Sequence, residues 1–182
     1  MVTYNWIKLR EHPELVKQSA KWFSSKWGVP AVVYEESIRT GIANKESIPQ
    51  WYVVLDEKET IVGGAGVIEN DFHNRPDLTP NLCALFVEPE KRKQGIAKRI
   101  LAEIRKEMHQ LGYEKLYLIT DHTTFYERYE WTFLTMVKEE SGTTARLYQS
   151  DTIGRKKRHE IFSNLMPLFF CLFSSLLFFR RK

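Results

Sequence analysis

The hydrophobic pattern of the chain switches between two periods, and the switches mark its elements. Residues 3–9, "TYNWIKL", alternate apolar and polar side chains in a β-rich stretch and predict a first strand. Pro13 opens a run in which Leu15, Val16, Ala20, Trp22 and Phe23 share one helical stripe, closed by Gly28, Val29 and Pro30. A shorter helix is predicted over 34–44, "YEESIRTGIAN". Two strands, 50–56 and 61–70, flank the charged turn Glu57-Lys58-Glu59 and predict an antiparallel hairpin. Residues 71–80 form a polar loop, and "NLCALFVE" at 81–88 is apolar enough for a central strand buried on both faces. Ile96, Ile100, Leu101, Ile104, Met108 and Leu111 recur at helical steps, and Gly112 supplies a stop. Residues 115–120 read as a strand, 123–129 as a short helix, and 131–137 and 145–149 as closing strands. This order predicts an α/β domain with a mixed sheet, its strand–helix–strand unit at 81–119 forming a right-handed parallel crossover.

The pattern changes near Ser150. The stretch "GRKKRHE" reads as part of a basic linker over 151–160, and 161–182 as a hydrophobic tail. Residues 161–179 carry no charge. As a helix they would span about 28 Å at ~1.5 Å per residue, against a hydrocarbon core of roughly 30 Å, so membrane association through 161–179 is one expectation. A tail docked on protein and an aberrant C-terminus, such as a frame change produces, are the alternatives.

The 182 residues favour one domain with a real core ahead of that tail. A formal charge of +4 suits a phosphate-bearing ligand and is a weak argument for nucleic acid. There is no zinc-finger spacing, RNP-like motif or internal repeat. Two cysteines, Cys83 and Cys171, offer no disulfide framework, which suits a reducing, cytoplasmic setting. The N-terminus lacks the apolar stretch of a signal peptide, and five scattered histidines give no support to a metal site.

The chemistry concentrates in Val87–Leu101, "VEPEKRKQGIAKRIL". A strand ends, a Pro follows, basic residues accumulate, and Gly95-Ile96-Ala97 stands where a long helix begins. A helix N-terminus presents unpaired N–H groups and about half a positive charge, so a pyrophosphate binds there if the backbone can approach it. Gly95 permits that approach, and Lys91, Arg92, Lys93 and Lys98 add positive potential. The stretch is neither a Walker A loop nor a Rossmann fingerprint. "GGAG" at 63–66 lies inside a strand and is better explained by close backbone packing or a bulge.

"RKQGIA" fits R/Q-x-x-G-x-G/A between a strand and a long helix, and "FYERYEWTF" follows about thirty residues on. Together they resemble the GNAT superfamily of acyl-CoA-dependent N-acetyltransferases, over roughly residues 3–149. The resemblance implies a mixed, mostly antiparallel sheet flanked by helices, with a splayed strand pair at the cofactor site. It implies acetyl-CoA as co-substrate and no metal. Leu85, Phe86 and Val87 would offer backbone groups to the pantetheine arm. Arg92, Lys93, Gln94, Gly95, Ile96, Ala97 and Lys98 would hold the pyrophosphate. Tyr126 falls where the family commonly places its general acid, with Tyr129 as rival. The carboxylate base of one branch falls on Asn81, which cannot serve, so Glu69, Asp71 and His122 remain open. Glu130 stands where relatives often have Gly, which bears on local loop shape. Cys83 is a buried strand residue before it is an acyl carrier.

The acceptor side would include Glu69, Asp71 and Trp51, with Tyr52, Phe72, His73 and Asp77 nearby; acids beside aromatics suit a cationic amine. The expected reaction moves an acetyl group from acetyl-CoA to a small-molecule or peptide amine by direct attack in a ternary complex. No nucleic-acid partner is expected, and a homodimer is left open. The alternative is a non-catalytic acyl-CoA sensor on the same fold.

Overall fold

The computed structural model describes residues 3–152. The chain divides into two units, Met1–Thr152 and Ile153–Lys182. The second unit, with the expected tail and most of the basic linker, lies outside the described residues. The folded unit ends two residues beyond the expected Ser150. Asp151 still pairs with Lys115 in the sheet, and the Thr152 hydroxyl donates to the Tyr113 carbonyl at 2.7 Å. Among the described residues, no helix is long and apolar enough to cross a membrane.

The strands are β1 (Asn5–Lys8), β2 (Gln50–Leu55), β3 (Ile61–Ile68), β4 (Asn81–Val87), β5 (Lys115–Thr120), β6 (Thr132–Lys138) and β7 (Thr144–Asp151). They form one sheet in the order β1-β2-β3-β4-β5-β7-β6, antiparallel except between β4 and β5. Helices α1 (Val16–Trp27) and α2 (Ala31–Ala43) cover one face; α3 (Ile96–Gln110) covers the other. α2 begins three residues earlier than the pattern predicts. Pro30 stands at its N-cap position, and Val32 and Val33 are exposed there, so they contribute nothing to the apolar stripe.

Two apolar layers result. Ile96, Ile100, Ile104 and Met108 of α3 pack with Leu116, Leu118, Tyr126, Trp131 and Tyr148. On the opposite face Phe23, Tyr34, Ile38, Trp51 and Val53 form a second core. The glycines of β3 are there for close packing. A Cβ on Gly66 would lie 2.6 Å from the Trp51 indole, and one on Gly64 would lie 2.9 Å from the Phe23 ring. The short edge strand β1 is latched to α3 by ions. Buried Glu107 takes Lys8 at 2.8 Å and Arg10 at 2.6 Å, and these partners hold its carboxyl below the usual range against the opposing effect of burial.

The other edge strand, β6, is irregular. Its register against β7 shifts between Phe133 and Thr135, and Phe133, Leu134 and Met136 are exposed. Glu130, in the turn before β6, adopts φ 67°, a left-handed geometry that costs a non-glycine residue about 1–2 kcal/mol. Arg105 offsets this by donating to the Glu130 carboxylate at 2.8 Å, and Ser150 donates to its carbonyl at 3.0 Å.

Gly66→Ala is expected to displace the Trp51 ring and lower stability by about 1–3 kcal/mol. Urea denaturation followed by tryptophan fluorescence checks this; an unchanged midpoint would refute the packing account.

Candidate active site

The site begins where the only parallel pair of the described sheet comes apart. β4 and β5 share a single ladder position, Asn81 opposite Tyr117, supported by the Tyr117 N–H donating to the Pro80 carbonyl at 3.0 Å. From there β4 runs on to Val87 and β5 to Thr120 without further pairing. A bulge sharpens the divergence. Gly64 pairs with Phe86 and Gly66 with Cys83, so two β4 residues, Ala84 and Leu85, oppose one residue of β3. Ala84 takes φ 53° to achieve this. Backbone groups of Leu85, Phe86 and Val87 therefore line an open ladder, while Val87 still buries its side chain and Leu85 packs against the α3 core.

Beyond β4, a 3-10 turn at Pro89–Lys91 leads to the loop that opens α3. Lys93 and Gly95 both have positive φ, 63° and 81°. Gly95 occupies the N-cap without a side-chain cap, and a Cβ there would meet nothing within 4 Å. The first intrahelical donor is Arg99, to the Gly95 carbonyl at 3.0 Å. The N–H groups of Ile96, Ala97 and Lys98 consequently lack intrahelical acceptors. This is a backbone cradle with an open approach, fitted to an anion such as a pyrophosphate.

The basic side chains divide their duties. Arg92 donates its Nε–H to the Val87 carbonyl at 3.0 Å and lies over the Phe86 ring, so it shapes the loop as well as charging it. Lys91 pairs with Asp56 at 3.7 Å. Lys93 and Lys98 stay exposed. Gln94 accepts from the Tyr4 hydroxyl at 2.6 Å, and Arg99 donates to the Tyr4 carbonyl at 2.7 Å. Behind the helix start, Tyr4, Asn5, Val54, Gln94, Ile96 and Arg99 border an open groove of about 560 Å³.

Tyr126 opens a 3-10 turn, Tyr126–Tyr129, after β5. Its ring packs among Phe125, Trp131 and Tyr148. Burial, and then the charge of Asp71, push its phenol up to about 12. Tyr129, its rival, packs more loosely at the rim against Phe125.

The three candidate bases separate. Glu69 is exposed and gives its backbone carbonyl to the Asn81 amide at 3.0 Å. His122 is exposed beside Phe125. Asp71 is half-buried, and desolvation followed by the charge of Glu139 raises its carboxyl to about 6. Its charge is felt by Tyr34, Cys83 and Tyr126, from α2, β4 and the 3-10 turn. Asp71, in the β3–β4 connection, therefore lies near Tyr126, in the turn after β5. Burial pushes the Cys83 thiol well above its usual range, which disfavours a nucleophilic thiolate.

Trp51 is not at the acceptor surface. It is 4% exposed, wedged between Phe23 and Tyr34, with its indole N–H donating to Ser37 at 2.8 Å. Both faces of β2 are covered, so its outward and inward residues are equally buried. Sequence reasoning also missed the bulge at Ala84, and the pair His73–Asn81 behind the Asp71 loop. The first leaves no residue signature; the second was signalled only by an amide where a carboxylate was sought.

Residues 48–132 match the family model of the acetyltransferase (GNAT) domain. Solved structures share the fold. An aminoglycoside 6'-N-acetyltransferase complexed with coenzyme A aligns at TM-score 0.62 and 19% identity, covering 84% of this chain and 98% of that one. An aminoglycoside 6'-acetyltransferase type Ii aligns at 0.60 and 22%, covering 84% and 99%. A GNAT-family acetyltransferase from Staphylococcus aureus Mu50 aligns at 0.58 and 18%, covering 83% and 100%. No curated protein sequence matches the chain. Residues 48–132 thus carry the match to the acetyltransferase (GNAT) domain, and the fold is the one these solved acetyltransferases share.

The raised Asp71 carboxyl has a consequence for stability. Below its ordinary value of 3.8 the group is neutral in both states; between 3.8 and about 6 the unfolded chain ionises it while the folded one does not, so stability falls across that window and stays lower above it. Asp71→Asn is therefore expected to be more stable than the parent by about 1–3 kcal/mol at pH 8, and equal to it at pH 3.5. Thermal melts at the two pH values check this; a destabilised variant at pH 8 would refute it.

Proposed function

We propose that the domain transfers an acetyl group from acetyl-CoA to a primary amine by direct attack in a ternary complex. The observation that carries this reading is the proximity of Asp71, in the β3–β4 connection, to Tyr126, in the turn after β5, where burial weakens both as acids and the charge of Asp71 is felt by the phenol. Acetyl-CoA supplies the activated thioester. Main-chain N–H groups of residues 96–98 hold its pyrophosphate, helped by Arg92, Lys93, Gln94 and Gly95, and the open backbone of Leu85–Val87 takes its pantetheine arm. The coenzyme A bound to a solved relative of the same fold supports this donor.

An alkyl ammonium has a pKa of roughly 10.4 and must lose a proton before its nitrogen can attack. Asp71, ionised at neutral pH yet more basic than a surface carboxylate, accepts that proton directly or through a water. Nitrogen bonds to the acyl carbon, its second proton passes to solvent, and the carbon–sulfur bond breaks. Tyr126 remains protonated at ordinary pH and donates to the sulfur as charge develops. A phenol at about 12 is less acidic than a thiol, so donation in the transition state, with solvent restoring the final proton, is its contribution. Glu69 and Asp71 favour a cationic acceptor, and the aminoglycoside acetyltransferases of the same fold support an amine.

Thioester cleavage across spermidine, kanamycin, free amino acids and peptide N-termini tests the reaction and the acceptor class together. For the amine that turns over, kcat/KM is expected to rise with pH through a limb near 6 from Asp71, beneath any contribution from the amine itself. Tyr126→Phe is expected to lower kcat by about 100-fold with coenzyme A affinity nearly unchanged. Coenzyme A binding with no cleavage of any amine, and no effect of Tyr126→Phe, would instead mark the domain as an acyl-CoA sensor.

A further inference from the structure

Asp71 sits in the β3–β4 connection, a stretch with no helix or strand of its own, and a base in such a segment needs something to fix it. Two sets of bonds converge on its neighbours. Asn70 accepts the His73 N–H at 2.8 Å and donates to the His73 carbonyl at 3.0 Å, closing a tight loop around Asp71. The His73 ring, itself buried, reaches Asn81 with 2.9 Å between Nε2 and Oδ1. The Asn81 amide nitrogen donates to the carbonyls of Glu69 and Leu78 at 3.0 and 2.7 Å, so Oδ1 is left to accept. His73 Nδ1 accepts the Arg75 N–H at 3.2 Å, so Nε2 carries the proton. The ring is thus bonded at both nitrogens. Asn81 is the residue at which β4 and β5 meet, so the same side chain ties the Asp71 loop to the apex of the splay.

The far side of the loop is strapped to the β6–β7 turn. Phe72, at φ 59°, gives its carbonyl to the Glu140 N–H at 3.0 Å. Asn74 and Lys138 exchange two bonds of 3.0 Å. This brings Glu139 close to Asp71, completing its surroundings of Tyr34, Cys83, Tyr126 and Glu139. The charges around the ring itself are Asp77 and its partner Arg75.

We infer that the buried His73–Asn81 pair is a positioning device that holds the Asp71 carboxylate in its seat near Tyr34, Cys83 and Tyr126. The inference rests on the proposed role of Asp71 as base. His73 touches no reacting atom; it acts through the loop. Losing its ring bonds lets the loop relax, admits water to Asp71 and makes the carboxylate a weaker base.

The test follows the titration of the Asp71 carboxyl carbon by NMR in the full chain, beside acetyl-CoA cleavage with the best amine of the panel. His73→Phe keeps the ring volume and removes both bonds. It is expected to lower the Asp71 midpoint by about one unit or more and kcat by roughly tenfold, with KM for acetyl-CoA unchanged. His73→Gln restores a donor at the Nε2 position and is expected to recover most of both. Asn70→Ala, which opens the other clamp at a part-exposed position, should shift the midpoint in the same direction. An unchanged midpoint in both folded variants would overturn the inference, even with Asp71→Asn inactive. A shifted midpoint with Asp71→Asn fully active would keep the positioning device and remove the base assignment.

Discussion

Asn81 and Tyr117 are the last neighbours before the sheet opens, and that parting governs the rest of the molecule. A strand denied its neighbour has N–H and C=O groups that must find other partners. Here they face a gap whose one end is the uncapped start of α3. The bulge at Ala84 turns β4 away from β5, Gly95 turns the chain into the helix, and both turns use left-handed backbone. The fold thus brings the parted strand and the start of α3 together, as the proposed acetyl-CoA site requires.

The electrostatics follow from the same opening. A closed sheet would bury nothing but apolar side chains at this level. Beside the parted strands lie instead a carboxyl from the β3–β4 connection and a phenol from the turn after β5, in surroundings dry enough to weaken both as acids. The seat of Asp71 destabilises its charged form, and the clamps made by Asn70, His73 and Asn81 are what keep the chain from relaxing around it. Strain of this kind persists only where the neighbourhood over-determines the geometry. A loop bonded on one side to β4 and on the other to the β6–β7 turn meets that condition.

Much of this was legible in the sequence. The stripe from Ile96 to Leu111 and the order of the strands follow from side-chain periodicity, although β2 and β3 are buried on both faces and show no alternation. Gly95 was legible because a residue without Cβ at a helix start lets an anion approach the backbone and because it falls in the R/Q-x-x-G-x-G/A pattern. Ala84 adopts the same hand with no sequence mark, because surrounding pairing imposes it. Trp51 was misplaced because β2 is covered on both faces, and alternation alone does not say which face meets a ligand. Glu69, Asp71 and His122 were equivalent as letters. Desolvation separates them, and desolvation depends on what packs around a side chain. The pairing of His73 with Asn81 crosses an irregular loop whose course no periodicity describes.

The two borders of the sheet are unlike, and neither is a straight template. β1 offers four residues and is latched by Lys8 and Arg10 to Glu107. β6 is longer and carries exposed apolar side chains, but its register breaks beside Leu134, which kinks the row of free amides. A foreign strand would match such a row for two or three residues and then fall out of step. The kink therefore guards the greasiest rim of the domain against end-to-end stacking into fibrils, a hazard that an unbroken strand of the same composition would invite.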